Sequence, residues 1–268
     1  MKVYKTANEA YLETLKDVLV KPDYVASPRG LKIREKLDYT FRILEPTADA
    51  LVTLDAERNK VIEAYTDKEK ELYNSCSNSV EDFAKASKFW LSIANPDKTI
   101  NSAYGNLIWA KKSNGSHFEQ EFVEVSRNEE SGGCTMVAMN KMRTPWEWAK
   151  ESLIADKDSR QALLRFSLPE HQWKGNKDQV CTMHGLFLIR DNKLNLSVVM
   201  RSNDLWLGLT YDLPWFMSLI DRMVDELKPF YPDLEKGHYT HTVHSLHIYE
   251  RDMDKITKAL GWDINEYL

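Results

Sequence analysis

The stretch RSNDLWLGLTYDLPWF, residues 201–216, passes from the end of a strand through a polar turn into a helix. From Leu213 to residue 229 apolar residues recur at helical spacing, with Asp212 as an N-cap and Pro214 in the first turn. Upstream, HGLFLIR (184–190) and LNLSVVMR (194–201) flank the turn Asp191-Asn192-Lys193, a hairpin pattern. Arg201 ends the second strand of that hairpin. Cys181 precedes the first, just after the polar loop SLPEHQWKGNKDQ (167–179). Downstream, THTVHSLHIY (240–249) is rich in β-branched and aromatic residues and predicts a strand, followed by a helix over 251–260.

The N-terminal half adds a helix over 6–20, a loop marked by Pro22 and Pro28, and a strand LDYTFRIL (37–44) that stops at Pro46. Helices are expected over 56–75, 81–94 and 145–157, and a polar loop over 113–133. The sum is a mixed α/β (α+β) domain over 1–268, one sheet with helices packed on it.

The 268 residues can bury a sizeable core, and 43% hydrophobic with 29% charged residues is ordinary globular composition. A net charge of −5 points away from a duplex nucleic-acid binder; a small anion needs a local arginine cluster instead. No apolar run has the length of a membrane span, and the N-terminus reads as an amphipathic helix, not a signal peptide. Cys76, Cys134 and Cys181 form no paired pattern, so free thiols in a reducing cytoplasm are expected.

Taken alone, a single cysteine such as Cys181 is more often a small core residue than a nucleophile. His238, His241, His244 and His247 recur every third residue, but in a strand His241 and His247 face one side and His238 and His244 the other. Four ligands cannot then converge, and no metal is expected. The strand does set Ser245, His247 and Tyr249 on one face. Arg29, Arg160 and Arg201 are candidates for a phosphate, which favours always-charged bidentate donors; each alone also reads as a solvated surface charge.

Six segments together resemble the thymidylate-synthase superfamily. RSND followed by Gly208 and Asp212 is similar to its nucleotide-reading segment, and Cys181 stands 20 positions before Arg201, as the family's nucleophile does. SLHIY (245–249) resembles its sugar-binding strand, NSAYGNLIW (101–109) its Tyr-Gly turn, KDSRQ (157–161) its phosphate loop, and YTDKEKELY (65–73) the helix of its catalytic glutamate. The details look closest to the phage deoxycytidylate hydroxymethylase branch, in which an aspartate stands where synthases use asparagine.

The resemblance implies a thymidylate-synthase-like fold and a homodimer joined through its sheets. It implies one-carbon transfer from 5,10-methylenetetrahydrofolate to carbon 5 of a pyrimidine nucleoside monophosphate. Cys181 is then the nucleophile at carbon 6, with Arg201 lowering its pKa while binding the phosphate. Ser202, Asn203 and Arg29 join the substrate site, and Arg160 reaches it from the partner subunit. Gln161 replaces the second arginine usual in that loop, and Arg165 stands where the family uses none. Glu69 is the general acid/base beside the folate, with Glu71 its rival; Tyr104 orders water near carbon 5. Asp204 and Gly208 border the folate, and His247 and Tyr249 hold the sugar hydroxyl.

Asp212 separates the bases. Cytosine offers a ring-nitrogen acceptor and an amino donor, which a carboxyl complements; uracil offers the reverse, which an asparagine amide complements. Thr182, where synthases carry histidine, also points away from uracil. A uridylate enzyme, a true synthase, a ribocytidylate hydroxymethylase, a silent nucleotide- or RNA-binding relative and a cysteine hydrolase are the competing readings.

Overall fold

The computed structural model describes residues 1–110, 117–129 and 131–262, with the backbone alone for 117–123 and 139–141. The main sheet is mixed. Its strands are β1 (Lys2–Tyr4), β2 (Tyr24–Ala26), β3 (Ile33–Ile43), β6 (Leu163–Arg165), β7 (Thr182–Arg190), β8 (Lys193–Met200), β9 (Asn203–Asp204) and β10 (Glu235–Tyr249). The order is β1-β3-β10-β8-β7-β6, with β2 paired to β3 and β9 to β10. A separate antiparallel ribbon joins β4 (His117–Arg127) and β5 (Cys134–Arg143). The helices are α1 (Ala7–Val20), α2 (Ala56–Asn74), α3 (Val80–Ala86), α4 (Trp90–Ile93), α5 (Tyr104–Trp109), α6 (Pro145–Ala155), α7 (Leu209–Leu227) and α8 (Met253–Leu260).

The ribbon replaces part of the expected loop over 113–133; residues 113–116 and 130 lie outside the described residues. The side chains of 124–129 and 131–138 are exposed, so no buried face imprints an alternating pattern on those residues. The expected helix over 81–94 is two helices. Ser87 is extended, and its hydroxyl accepts from the Phe89 amide at 3.3 Å, a local turn that competes with helix continuation. The helix expected from Leu213 starts at Leu209, which moves Asp212 from the cap into the first turn; Gly208 occupies the cap position.

The hairpin turn is two residues, Asp191 and Asn192, with φ of 51° and 57°, the left-handed pair that a tight hairpin needs. α6 opens with a capping box, in which the Thr144 hydroxyl accepts from the Glu147 amide while Glu147 accepts from the Thr144 amide. In α7, Leu213, Phe216, Ile220 and Leu227 are fully buried, which lays the helix against the sheet as the chain crosses from β8 to the parallel β10.

An aromatic cluster fills the space between helices and sheet. The Tyr104 ring lies 5.4 Å from Tyr73, 5.3 Å from Trp215 and 5.3 Å from Phe166. This cluster depends on one close approach. A Cβ on Gly105 would lie 1.8 Å from the Tyr73 carbonyl oxygen, so α5 reaches α2 only with glycine there. Gly105→Ala is expected to cost about 3 kcal/mol or more, a fall in Tm of roughly 6–12 °C in a thermal melt. An unchanged Tm would show that the α2–α5 contact yields without penalty.

Candidate functional site

The site begins with a strand register. Thr182 pairs with Met200, and Arg201 N–H donates to the Cys181 carbonyl at 2.9 Å, so Cys181 and Arg201 face each other across the mouth of the hairpin. The 20-residue spacing seen in the sequence is the length of that hairpin. A bulge between Thr182 and His184 sets the opposition; the register of the rest of the hairpin would put Thr182 there instead. The guanidinium is then pinned beside the thiol. Arg201 Nε donates to the Val180 carbonyl at 3.0 Å, Nη2 donates to the Gln179 carbonyl, and Nη2 lies 3.4 Å from Cys181 Sγ.

β9 continues the line of β8 along β10, with Asn203 opposite Leu246 and Asp204 opposite His247. Between the two strands the Arg201 carbonyl accepts from the Ser245 N–H of β10 at 3.2 Å, and the exposed Arg201 and half-buried Ser202 lie at the rim. His247 is buried, its ring 5.3 Å from Tyr249 and nearly perpendicular to it. β10 turns His241 into the core as well, while His238 is half-buried and His244 is exposed. Burial lowers the His241 pKa to about 3. Among the described residues no group of three or more His, Cys, Asp or Glu is placed to hold a metal ion.

Three acids and a tyrosine face the same region. Glu69 is 8% exposed on α2, and its carboxylate accepts from the Tyr73 hydroxyl at 3.3 Å. Burial, and then the charge of Asp212, push it up to about 8. Its rival Glu71 is exposed, on the outer side of the helix. Asp212 is pushed up to about 7 by burial, against the pull of the hydrogen bond from Asn203 Nδ2 at 2.6 Å. Burial raises Asp204 too, opposed by His247 across the strand pair. The buried Tyr104 hydroxyl accepts from Thr182 at 2.9 Å and feels both Asp212 and Cys181.

The thiol differs from expectation in one respect. Arg201 and Arg29 pull the Cys181 pKa down, but burial outweighs them and Asp212 and Asp178 add to it, so the net direction is up. Arg29 is exposed in the turn Pro28–Gly30 and holds φ at 54°, a left-handed conformation unusual for a non-glycine residue. Gly208 leaves room for the site: a Cβ there would come within 2.9 Å of Asn203 Nδ2 and 3.4 Å of Asp212 Oδ2.

Arg160 stands apart, exposed on the loop between α6 and β6, with no hydrogen bond or ion pair to Cys181, Arg29 or Arg201 among the described residues. Arg165 is exposed on β6, opposite His184. Residues that the sequence did not single out complete the region. Asp178 is buried and accepts from the Ser102 amide at 2.9 Å and from its hydroxyl, tying the Cys181 loop to the approach to α5. Tyr73 holds Glu69, a link legible only in its i,i+4 spacing. The site thus offers a thiol beside a fixed cation, a buried and a half-buried carboxyl near neutral pKa, and a rim of arginine and serine.

Known proteins resemble this chain along most of its length. The chain is 28% identical over 240 residues to the deoxycytidylate 5-hydroxymethyltransferase of Enterobacteria phage T6, a match covering 87% of this chain and 82% of that protein. It is 28% identical over 185 residues to the deoxyuridylate hydroxymethyltransferase of Bacillus phage SP01, covering 66% and 46%. The fold is similar to that of the thermostable thymidylate synthase A from Bacillus subtilis, with a TM-score of 0.64 and 16% identity over 96% of this chain and 84% of that one. A family model for thymidylate synthase matches residues 10–266, and the chain belongs to the thymidylate synthase family.

Proposed function

We propose that the protein is a deoxycytidylate 5-hydroxymethyltransferase, adding a one-carbon unit from 5,10-methylenetetrahydrofolate to carbon 5 of dCMP with water as the final nucleophile. The observation that carries the choice of base is the half-buried Asp212, with a pKa raised to about 7, at the position where an asparagine would complement uracil. The relationship to the T6 enzyme supports the hydroxymethyl outcome.

In this reading Cys181 Sγ bonds to carbon 6, and the ring electrons it displaces make carbon 5 nucleophilic. A thiol that burial keeps protonated must ionise to attack; Arg201, 3.4 Å away, is the cation that stabilises the thiolate. The same guanidinium, with Ser202 and Arg29, grips the phosphate, and His247 and Tyr249 hold the sugar. Folate fits the residues beside the base: Asp204 offers a half-buried carboxyl and Gly208 leaves open the space that a side chain would fill. When bound, it supplies the carbon. Glu69, poised near pKa 8, exchanges a proton at neutral pH, and Tyr104 orders water near carbon 5, where the proton leaves. Arg160 completes the phosphate site from a second subunit docked sheet to sheet. The work is done in the cytoplasm of a phage-infected cell; among the described residues no helix is long and apolar enough to cross a membrane.

Mass analysis of the product from dCMP and methylenetetrahydrofolate tests this. The expected product gains one hydroxymethyl group. A gain of one methyl group, with dihydrofolate appearing in the absorbance, would refute water as the nucleophile.

A further inference from the structure

Asn203, the first residue of β9, is buried at 3% exposure. Its Nδ2 donates to Asp212 Oδ2 at 2.6 Å, while its Oδ1 is buried with no hydrogen-bond partner. An unpaired buried acceptor costs about 1–3 kcal/mol, which a ligand donor would recover. Gly208 sits against the pair, where a methyl group would press on both partners. The room for this contact is therefore built into the turn before α7.

We propose that Asn203 is a specificity-determining residue, which holds one oxygen of Asp212 and so leaves two acceptors, Asp212 Oδ1 and its own Oδ1, for an exocyclic amino group. This rests on the reading of Asp212 as the residue that meets the base. An amino group carries two N–H donors and can satisfy both acceptors. A keto oxygen at the same ring position has no hydrogen to offer either.

Other groups also bear on the state of Asp212. Asp204 on β9 raises its pKa, and Asn203 lowers it. Glu69, Tyr65 and Tyr73 on α2 each feel its charge, as do Tyr104 on α5, Cys181 before β7 and Tyr239 on β10. Only Asn203 is hydrogen-bonded to its carboxyl among the described residues, so removing that donor has a defined sign: the midpoint must rise.

The test uses the full chain, with Asn203→Leu as an apolar variant of similar shape and Asn203→Ser as one that keeps a hydroxyl. Carbon-13 NMR of the Asp212 carboxyl gives its midpoint, and calorimetry gives the Kd ratio for dCMP and dUMP without needing turnover. Asn203→Leu is expected to raise the midpoint by about one pH unit, tenfold in proton affinity, and to lower the preference for dCMP about tenfold or more. Asn203→Ser should fall between it and the natural protein in both. An unmoved midpoint overturns the proposal, and so does a shifted midpoint with an unchanged ratio. If the natural protein binds dCMP with the expected preference yet transfers no carbon to it, the enzymatic reading fails while the role of Asn203 stands.

Discussion

Cys181→Ala is expected to lower the proposed hydroxymethyl transfer to dCMP by at least about 10⁴-fold, with the fold intact. The size follows from the role proposed for the thiol. Addition at carbon 6 is the step that makes carbon 5 nucleophilic, and no neighbour can replace the bond; Arg201 lacks a nucleophile, and the Thr182 hydroxyl is buried and committed to Tyr104. The fold survives because the side chain is half-buried at the edge of the core, so little packing is removed. Release of tritium from carbon 5 of labelled substrate measures the early steps alone. Release by the alanine variant at the natural rate would mean that the ring is activated without covalent attack.

Asp212→Asn is expected to reverse the preference between bases. The amide of the variant donates to the uracil carbonyl and accepts from its ring N–H, while it sets donor against donor at the cytosine amino group. Each mismatched buried pair costs about 1–3 kcal/mol, so kcat/KM for dCMP should fall and that for dUMP rise, moving their ratio by about 10²–10³-fold. The change also removes a carboxyl whose charge raises the Glu69 pKa, so the Glu69 midpoint falls toward the ordinary carboxylate range. Competition between the two nucleotides in one reaction mixture reads the ratio directly. An unchanged ratio would place base selection elsewhere.

Much of this site was legible in the sequence because it is built on local, strongly patterned elements. The Asp191-Asn192 turn specifies the hairpin, and the hairpin brings Cys181 to Arg201. Strand alternation in 240–249 similarly predicts that His241 and His247 share a side. The start of α7 was misread because Asp-Leu-Pro imitates a cap followed by a first-turn proline, whereas the helix begins one turn earlier on Gly208 with no side-chain cap. That shift matters chemically, since it frees the Asp212 carboxyl for Asn203. The direction of the thiol's pKa was not legible, because burial outweighs the pull of Arg201 and Arg29, and that burial comes from the folded core against which Cys181 packs. The β4–β5 ribbon exposes its side chains over 124–127 and 134–138, and such residues carry no buried alternation that would distinguish them from a polar loop.

The most direct test of covalent catalysis uses dCMP carrying fluorine at carbon 5, together with methylenetetrahydrofolate. Fluorine cannot leave as the proton does, so the enzyme–nucleotide bond survives denaturation and can be mapped by peptide mass. The account predicts a single adduct, on the peptide that contains Cys181. No adduct, or one on Cys76 or Cys134, would contradict it.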